Sequence, residues 1–302
     1  MHEEIDVRAL ITGGQGFVGR HLAQHLDEMG DEVTVADREV DVTDRAALVG
    51  SMKTAAPDVI FHLAAMTSVA ESWSRPAEYT RVNVLGTAHL LDAAHEVVPQ
   101  ARVVLVSSAE VYGIVRPADL PLTEGSPTVP ANPYSTSKLE AELVARDAVR
   151  SRHQAVVTAR PFNHIGPGQS AVFVVPALVQ RMLEATAEGR HFIMVGDLST
   201  RRDFSDVRDV VRAYRLLSEW GRAGEVYNVA SGHDIALSDL ADELRRRINP
   251  DLEMLVDAEL LRPVEVPVSR GSFEKLHEAT GWEPTFTLSH SLDDVIAAQR
   301  ER

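Results

Sequence analysis

The chain has 302 residues, 44% hydrophobic and 25% charged, with a formal net charge of −15 and no cysteine. That length and composition suit one large globular domain or two closely joined ones, and the acidic balance argues against a nucleic-acid partner. The lack of thiols excludes a disulfide framework and a thiolate zinc site, and no metal centre is expected. The start of the chain, MHEEIDVRAL, carries no apolar signal core, and no run reaches the ~18 apolar residues of a membrane span. The expectation is a cytoplasmic protein without a membrane partner.

Residues 7–12 read as a strand. Residues 17–29 read as a helix with Phe17, Val18, Leu22, Leu26 and Met29 roughly on one face, and 32–36 as a second strand. Short apolar runs at 58–63, 102–107 and 155–160 read as further strands, with helical patterns at 82–97 and 134–150 between them. Strands alternating with helices imply βαβ units, hence an α/β fold with a Rossmann-type, doubly wound parallel sheet. After Pro161 the regularity fades. Residues 163–170 form a Gly- and Pro-rich loop, followed by a helix at 174–188, a strand at 191–195 and a helix at 206–219. A strand at 225–229 is placed to return to the main sheet, and helices follow at 237–248 and 273–280. The expected organisation is an NAD(P)-binding domain at 1–163, joined by about 205–231. A smaller, discontinuous α/β substrate domain takes 164–204 and 232–302. No internal repeat is visible.

The first strand runs into TGGQGFVG, residues 12–19, in which Gly13, Gly16 and Gly19 are three apart. The first glycine permits a tight turn, the second lets backbone N–H groups meet a pyrophosphate, and the third lets the helix pack close to the sheet. Alone a glycine triplet is weak, but here it lies between a strand and a helix. Phe17 and Val18 open that helix. The second strand ends at Asp37, whose carboxylate suits ribose hydroxyls and disfavours a 2′-phosphate. Arg38 follows and could pair with such a phosphate instead. Together they favour NAD(H) over NADP(H) by a modest margin.

YSTSK spans residues 134–138. On a helix Tyr134 and Lys138 share a face. A neighbouring ammonium favours the phenolate, so the tyrosine is expected to titrate below its usual ~10 and to serve as an acid or base at a carbonyl oxygen. A tyrosine four residues from a lysine is common by chance. Three companions raise its weight: the glycine loop, Ser107–Ser108 at a strand end, and FHLAA at 61–65 closing another strand. Ligands of open α/β sheets lie outside such strand ends, where the Ser108 hydroxyl can bond the reacting oxygen.

TGGQGFVG, FHLAA, VNVLGT, SSAEVYG, YSTSK, RPFNHIGPGQ, RRDFSDVRD, YNVASG and LRPVEVP…GWEP cover nearly the whole chain. Together they resemble the extended short-chain dehydrogenase/reductases that act on nucleotide sugars. The resemblance implies that Lys138 holds the nicotinamide ribose, that Asp41 and Val42 flank the adenine, and that Leu63, Ala64 and Ala65 line the cofactor. It also implies a homodimer built as a four-helix bundle from the helices at 82–97 and 134–150. In SSAEVYG, dehydratases of the family carry an acidic pair after the Ser/Thr. Here the first position is Ala109, which cannot transfer a proton, so half of an elimination machinery is missing. PFNHIGPGQ, LRPVEVP and RRDFSDVRD are most similar to the reductases of GDP-4-keto-6-deoxy sugars, which implies a GDP-sugar substrate. By that resemblance Arg202 and Arg262 meet the diphosphate, with Arg201 a surface alternative. Asn163, His164 and Glu265 bind or pack near phosphate or sugar, and Ser68, Arg81 and Glu110 lie near the sugar. Asn83 orders the site rather than touching substrate. Residues 172–179 are core or line the guanine pocket. Epimerases and dehydratases of the same fold, and a non-catalytic dinucleotide sensor, are the competing readings.

Overall fold

The computed structural model describes residues 7–36, 40–260 and 266–301. Asp37, Arg38, Arg262 and Glu265, all expected at the site, lie outside the described residues. In chain order the elements are β1 (Arg8–Thr12), α1 (Phe17–Glu28), β2 (Glu32–Ala36), α2 (Arg45–Ala55), β3 (Val59–His62), α3 (Val69–Ser72) and α4 (Pro76–Tyr79). A π-helical turn, Thr80–Leu85, leads into α5 (Gly86–Val97). Then come β4 (Arg102–Val106), a short 3₁₀ turn at Ala109–Tyr112, α6 (Pro133–Arg152), β5 (Val156–Pro161) and β6 (Asn163–Ile165). The remainder is α7 (Val174–Ala187), β7 (Phe192–Val195), β8 (Arg201–Asp206), α8 (Val207–Trp220), β9 (Val226–Val229), β10 (Asp234–Ala236) and α9 (Leu237–Ile248). It closes with β11 (Glu253–Val256), β12 (Val268–Ser269), α10 (Glu274–Thr280) and α11 (Leu288–Arg300).

Six strands form one parallel sheet in the order β2-β1-β3-β4-β5-β9. The order reverses between β1 and β3, which opens a crevice beyond their C-terminal ends. β9 pairs with β5, so residues 226–229 return to the main sheet as expected. Both faces are covered. On one side Leu22, Leu26, Val210, Tyr214 and Leu217 of α1 and α8 pack on Ile11, Phe61 and Val104. On the other, Leu48, Met52, Leu90, Leu91 and Ala145 of α2, α5 and α6 pack on Leu10, Ile60 and Val103. A third cluster of buried side chains joins α7, α9 and α11 through Leu178, Met182, Leu240, Leu244, Leu292 and Ile296.

Two helix starts are fixed by side-chain caps. Asp44 caps α2 by accepting from the N–H groups of Ala46 and Ala47. Asn132 caps α6 in a reciprocal box with Ser135, and Pro133 takes the first helical position. The sheet of β6, β8, β10 and β12 had no sequence signal. Its central strand, RRDFSD, buries Arg202 and Asp203 and so lacks apolar alternation. Nor were α2 and α11 anticipated from the pattern. Among the described residues no helix is long and apolar enough to cross a membrane.

Candidate active site

The glycine turn sits at the end of β1. Gly13 has φ +73°, a left-handed conformation, and a Cβ there would lie 2.8 Å from the Ala64 amide nitrogen. At Gly19 a Cβ would lie 2.4 Å from the Gly13 carbonyl oxygen, so only glycine lets α1 approach the turn. Gly16 is the N-cap of α1 and supplies no side-chain cap, and the first turn of α1 holds no acid. The helix therefore presents open N–H groups and its positive dipole end, which fits a dinucleotide pyrophosphate. Leu63 and Ala64 donate their amide N–H groups to the Thr12 carbonyl (3.1 Å) and hydroxyl (3.4 Å), which fastens the strand-end segment 63–65 beside the turn. Val42 is buried against Gly86, and Asp41 accepts from the amide and hydroxyl of Thr43 at 2.8 Å each. Those bonds hold the Asp41 carboxyl below the usual range. Arg81, expected near the sugar, lies in the π-helical turn and donates to the Thr43 hydroxyl at 2.9 Å, beside Asp41.

Tyr134 stands in the first turn of α6, edge-on to Tyr79 with ring centroids 6.3 Å apart. Burial pushes its hydroxyl up to about 12, opposed by a hydrogen bond with Ser108, while Glu110 and Tyr79 push the same way as burial. The direction is thus opposite to the lowering expected from Lys138: desolvation of a phenolate inside the protein is the largest influence. Lys138 is buried and donates Nζ to the Val106 carbonyl at 2.8 Å. Burial lowers it to about 8, with Glu142 working in the opposite direction. Ser108 caps the 3₁₀ turn by accepting from the Glu110 amide at 3.2 Å. Ala109 begins that turn, and the Glu110 carboxylate is approached by the Asn132 amide at 3.5 Å.

The fold therefore brings the glycine turn, residues 63–65, Ser108, Tyr134 and Lys138 to the C-terminal ends of β1, β3 and β4. Phe17 and Val18 lie half-buried on α1, and Phe17 stacks on His164 with centroids 6.1 Å apart, linking α1 to β6. Burial lowers the His164 pKa, so its imidazole is neutral at pH 7. Asn163 is exposed on β6 and pairs in register with Phe204 of β8, on which Arg202 is buried. Arg201 is bound to Asp234. Ser68 caps α3 and accepts from the Glu71 amide. Asn83 orders its surroundings as expected: it donates to the Met66 carbonyl and the Ser137 hydroxyl and accepts from the Met66 amide.

Reasoning from sequence missed the polar support behind the catalytic turn. Glu142 on α6 accepts from the Ser107 hydroxyl at 2.5 Å and from Arg160 of β5 at 2.9 and 2.6 Å. Arg160 also reaches the Tyr112 hydroxyl at 3.0 Å. Glu142 lies one turn beyond Lys138, so the spacing YSTSKLEAE could have revealed it.

Residues 9–230 match the family described as the NAD dependent epimerase/dehydratase family. GDP-6-deoxy-D-mannose reductase of Pseudomonas aeruginosa is 36% identical over 98% of both chains. Human dTDP-D-glucose 4,6-dehydratase is 29% identical over 97% of this chain and 90% of its own. Among solved structures, RMD from Pseudomonas aeruginosa complexed with NADPH superposes with a TM-score of 0.89 at 35% identity, covering 98% of each chain. With the glycine turn and the tyrosine–lysine pair in place on a parallel sheet, the chain belongs to the NAD dependent epimerase/dehydratase family, within the extended short-chain dehydrogenase/reductases, and is an NAD(P)-dependent oxidoreductase.

Proposed function

We propose that the protein reduces the C4 ketone of GDP-4-dehydro-6-deoxy-D-mannose with NAD(P)H, giving GDP-D-rhamnose. The observation that carries this reading is Ala109. It follows Ser108 at the mouth of the site, where an acid would be needed to protonate a leaving hydroxyl. A ketone reduction requires one proton and one hydride, and the residues present suffice for the proton. The similarity to GDP-6-deoxy-D-mannose reductase supports the GDP-sugar assignment.

In this reading the bound dinucleotide supplies the hydride. Tyr134 gives its proton to the C4 oxygen, and a phenol kept protonated by burial is suited to act as an acid. Ser108 bonds the same oxygen and polarises it. Lys138 holds the ribose hydroxyls, and its ammonium favours the tyrosinate left after proton transfer. Gly13, Gly16, Phe17, Val18 and Gly19 cradle the pyrophosphate, with Leu63, Ala64 and Ala65 along the nicotinamide half and Asp41 and Val42 at the adenine. Asn163, Arg202, Ser68 and Glu110 serve the sugar and diphosphate, with Arg262 and Glu265. Residues 1–163 with about 205–231 form the cofactor half, and 164–204 with 232–302 the substrate half. Asp37 favours NADH, and Arg38 leaves NADPH open. The reading extends to a cytoplasmic homodimer through α5 and α6, beside which Leu85 and Leu143 are exposed. A solution mass near 33.1 kDa, that of one chain, would overturn the dimer.

The test is incubation of the enzyme with GDP-4-dehydro-6-deoxymannose and each reduced cofactor, with the product resolved by NMR. Stoichiometric loss of NAD(P)H is expected. Turnover with only tightly held cofactor would point to an epimerase, and the C4 epimer GDP-6-deoxy-D-talose would correct the stereochemistry. Tyr134→Phe removes the proton donor and should lower kcat by at least ~10²-fold.

A further inference from the structure

His62 ends β3 and is buried, bonded on both ring nitrogens. Nδ1 lies 2.8 Å from the Thr12 hydroxyl, and Nε2 lies 3.1 Å from the Thr87 hydroxyl. The direction of each bond follows from proton counting. Thr87 has one hydroxyl proton and gives it to the Asn83 carbonyl, an obligate acceptor, at 2.7 Å. Thr87 must therefore accept from His62, so Nε2 carries the proton. Desolvation, reinforced by Lys138, lowers His62 to about 3, so the ring is neutral and Nδ1 is bare. Nδ1 then accepts from Thr12, and Thr12 accepts from the Ala64 amide.

The chain of bonds continues at both ends. Ala64 is the residue against which Gly13 closes. Asn83 donates to the Ser137 hydroxyl at 2.9 Å, and Ser137 donates to the Tyr134 carbonyl at 2.7 Å. Hydrogen bonds thus run from Thr12, next to the glycine turn, through His62 and Thr87 to the backbone of Asn83, and from the Asn83 side chain on to the first turn of α6. They cross two strand ends and the π-helical turn.

We infer that His62 is a positioning residue that couples the cofactor cradle to the catalytic tyrosine, working as a neutral imidazole fixed in its Nε2–H tautomer. Both of its ring nitrogens are taken by protein hydroxyls. Its one acceptor and one donor satisfy two threonines at once, and each threonine orders a different half of the site. A leucine of similar bulk would leave both hydroxyls short of a partner. A glutamine also offers one acceptor and one donor.

The inference rests on the oxidoreductase reading for its kinetic arm only. Selective ¹⁵N-histidine NMR of the whole protein, with His62→Gln used to assign the resonance, reads the tautomer without any substrate. A neutral Nε2–H signal from pH 5 to 8 is expected; an Nδ1–H tautomer or an imidazolium in that range overturns the inference. Dinucleotide titration by fluorescence and steady-state kinetics then compare the variants. His62→Leu should weaken NAD(P)H binding and lower kcat by about tenfold each, with the KM for the sugar nearly unchanged. His62→Gln should recover most of both. A folded His62→Leu with wild-type cofactor affinity, or a His62→Gln no better than His62→Leu, overturns the coupling. If the wild-type enzyme turns over no GDP-sugar, the proposed substrate falls, while the tautomer and the cofactor affinities still decide the role of His62.

Discussion

At the scale of single residues, burial governs the two titrating groups of the site in opposite directions. It raises Tyr134 to about 12 and lowers Lys138 to about 8, because removal from water penalises whichever form is charged. The ammonium of Lys138 is therefore present below about pH 8 and lost above it. We expect kcat/KM for ketone reduction to fall as pH rises through that value, measured with cofactor consumption from pH 6 to 10. A flat profile to pH 10 would show that Lys138 keeps its proton in the enzyme that meets the sugar. His62 gives a second, independent signature. The unfolded imidazole takes a proton near 6.5, whereas the folded one resists until about 3, so the unfolded state binds more protons across that window. Stability contributed by the neutral ring is full above pH 6.5 and is lost as pH falls towards 3. Urea unfolding at pH 7 and pH 4.5 should show a smaller acid-side loss for His62→Gln than for the wild type.

Among the elements, α8 shows how a motif that looks like a binding sequence serves packing. RRDFSDVRD supplies Asp203, Asp206 and Asp209, all buried. Asp206 caps α8 and accepts from the Ser291 hydroxyl of α11 at 2.6 Å. Asp209, in the first turn, accepts from the amides of Thr285 and Phe286 at 2.9 Å each and from Arg212 at 2.7 Å. Its carbonyl receives the Trp282 indole N–H. Asp203 receives the amides of Ser231, Gly232 and Gly271. These carboxylates tie the segment ahead of α11 and two loops to the top of the sheet. Asp209→Ala strips a buried acceptor from several donors at once and should cost about 3–5 kcal/mol in unfolding free energy. A loss below ~1 kcal/mol by urea titration would mean that the packing of Trp282 alone holds the segment.

For the whole molecule, the dinucleotide site lies at the end of the six-stranded sheet, and β6 connects it to the core of α7, α9 and α11, with His164 stacked on Phe17 and Ile165 buried in that core. Because the cradle exists only in the folded chain, cofactor at 100 times its Kd should add about 2.7 kcal/mol of stability. Thermal unfolding with NADH and NADPH in turn reads the preference directly. No rise with either would contradict the cradle. The sequence by itself determined the parallel sheet and the cofactor turn, since strand–glycine–helix order, the spacing of Gly13, Gly16 and Gly19, and Tyr134 four residues before Lys138 are local properties of the chain. It did not disclose the β6–β8–β10–β12 sheet, whose strands bury charge instead of alternating apolar residues. Only the tertiary structure decided the direction of the Tyr134 shift, the turning of Arg81 towards Thr43, and the meeting of His62 with Thr12 and Thr87. Each of these depends on which groups distant in sequence share a space without water, and no local pattern carries that information.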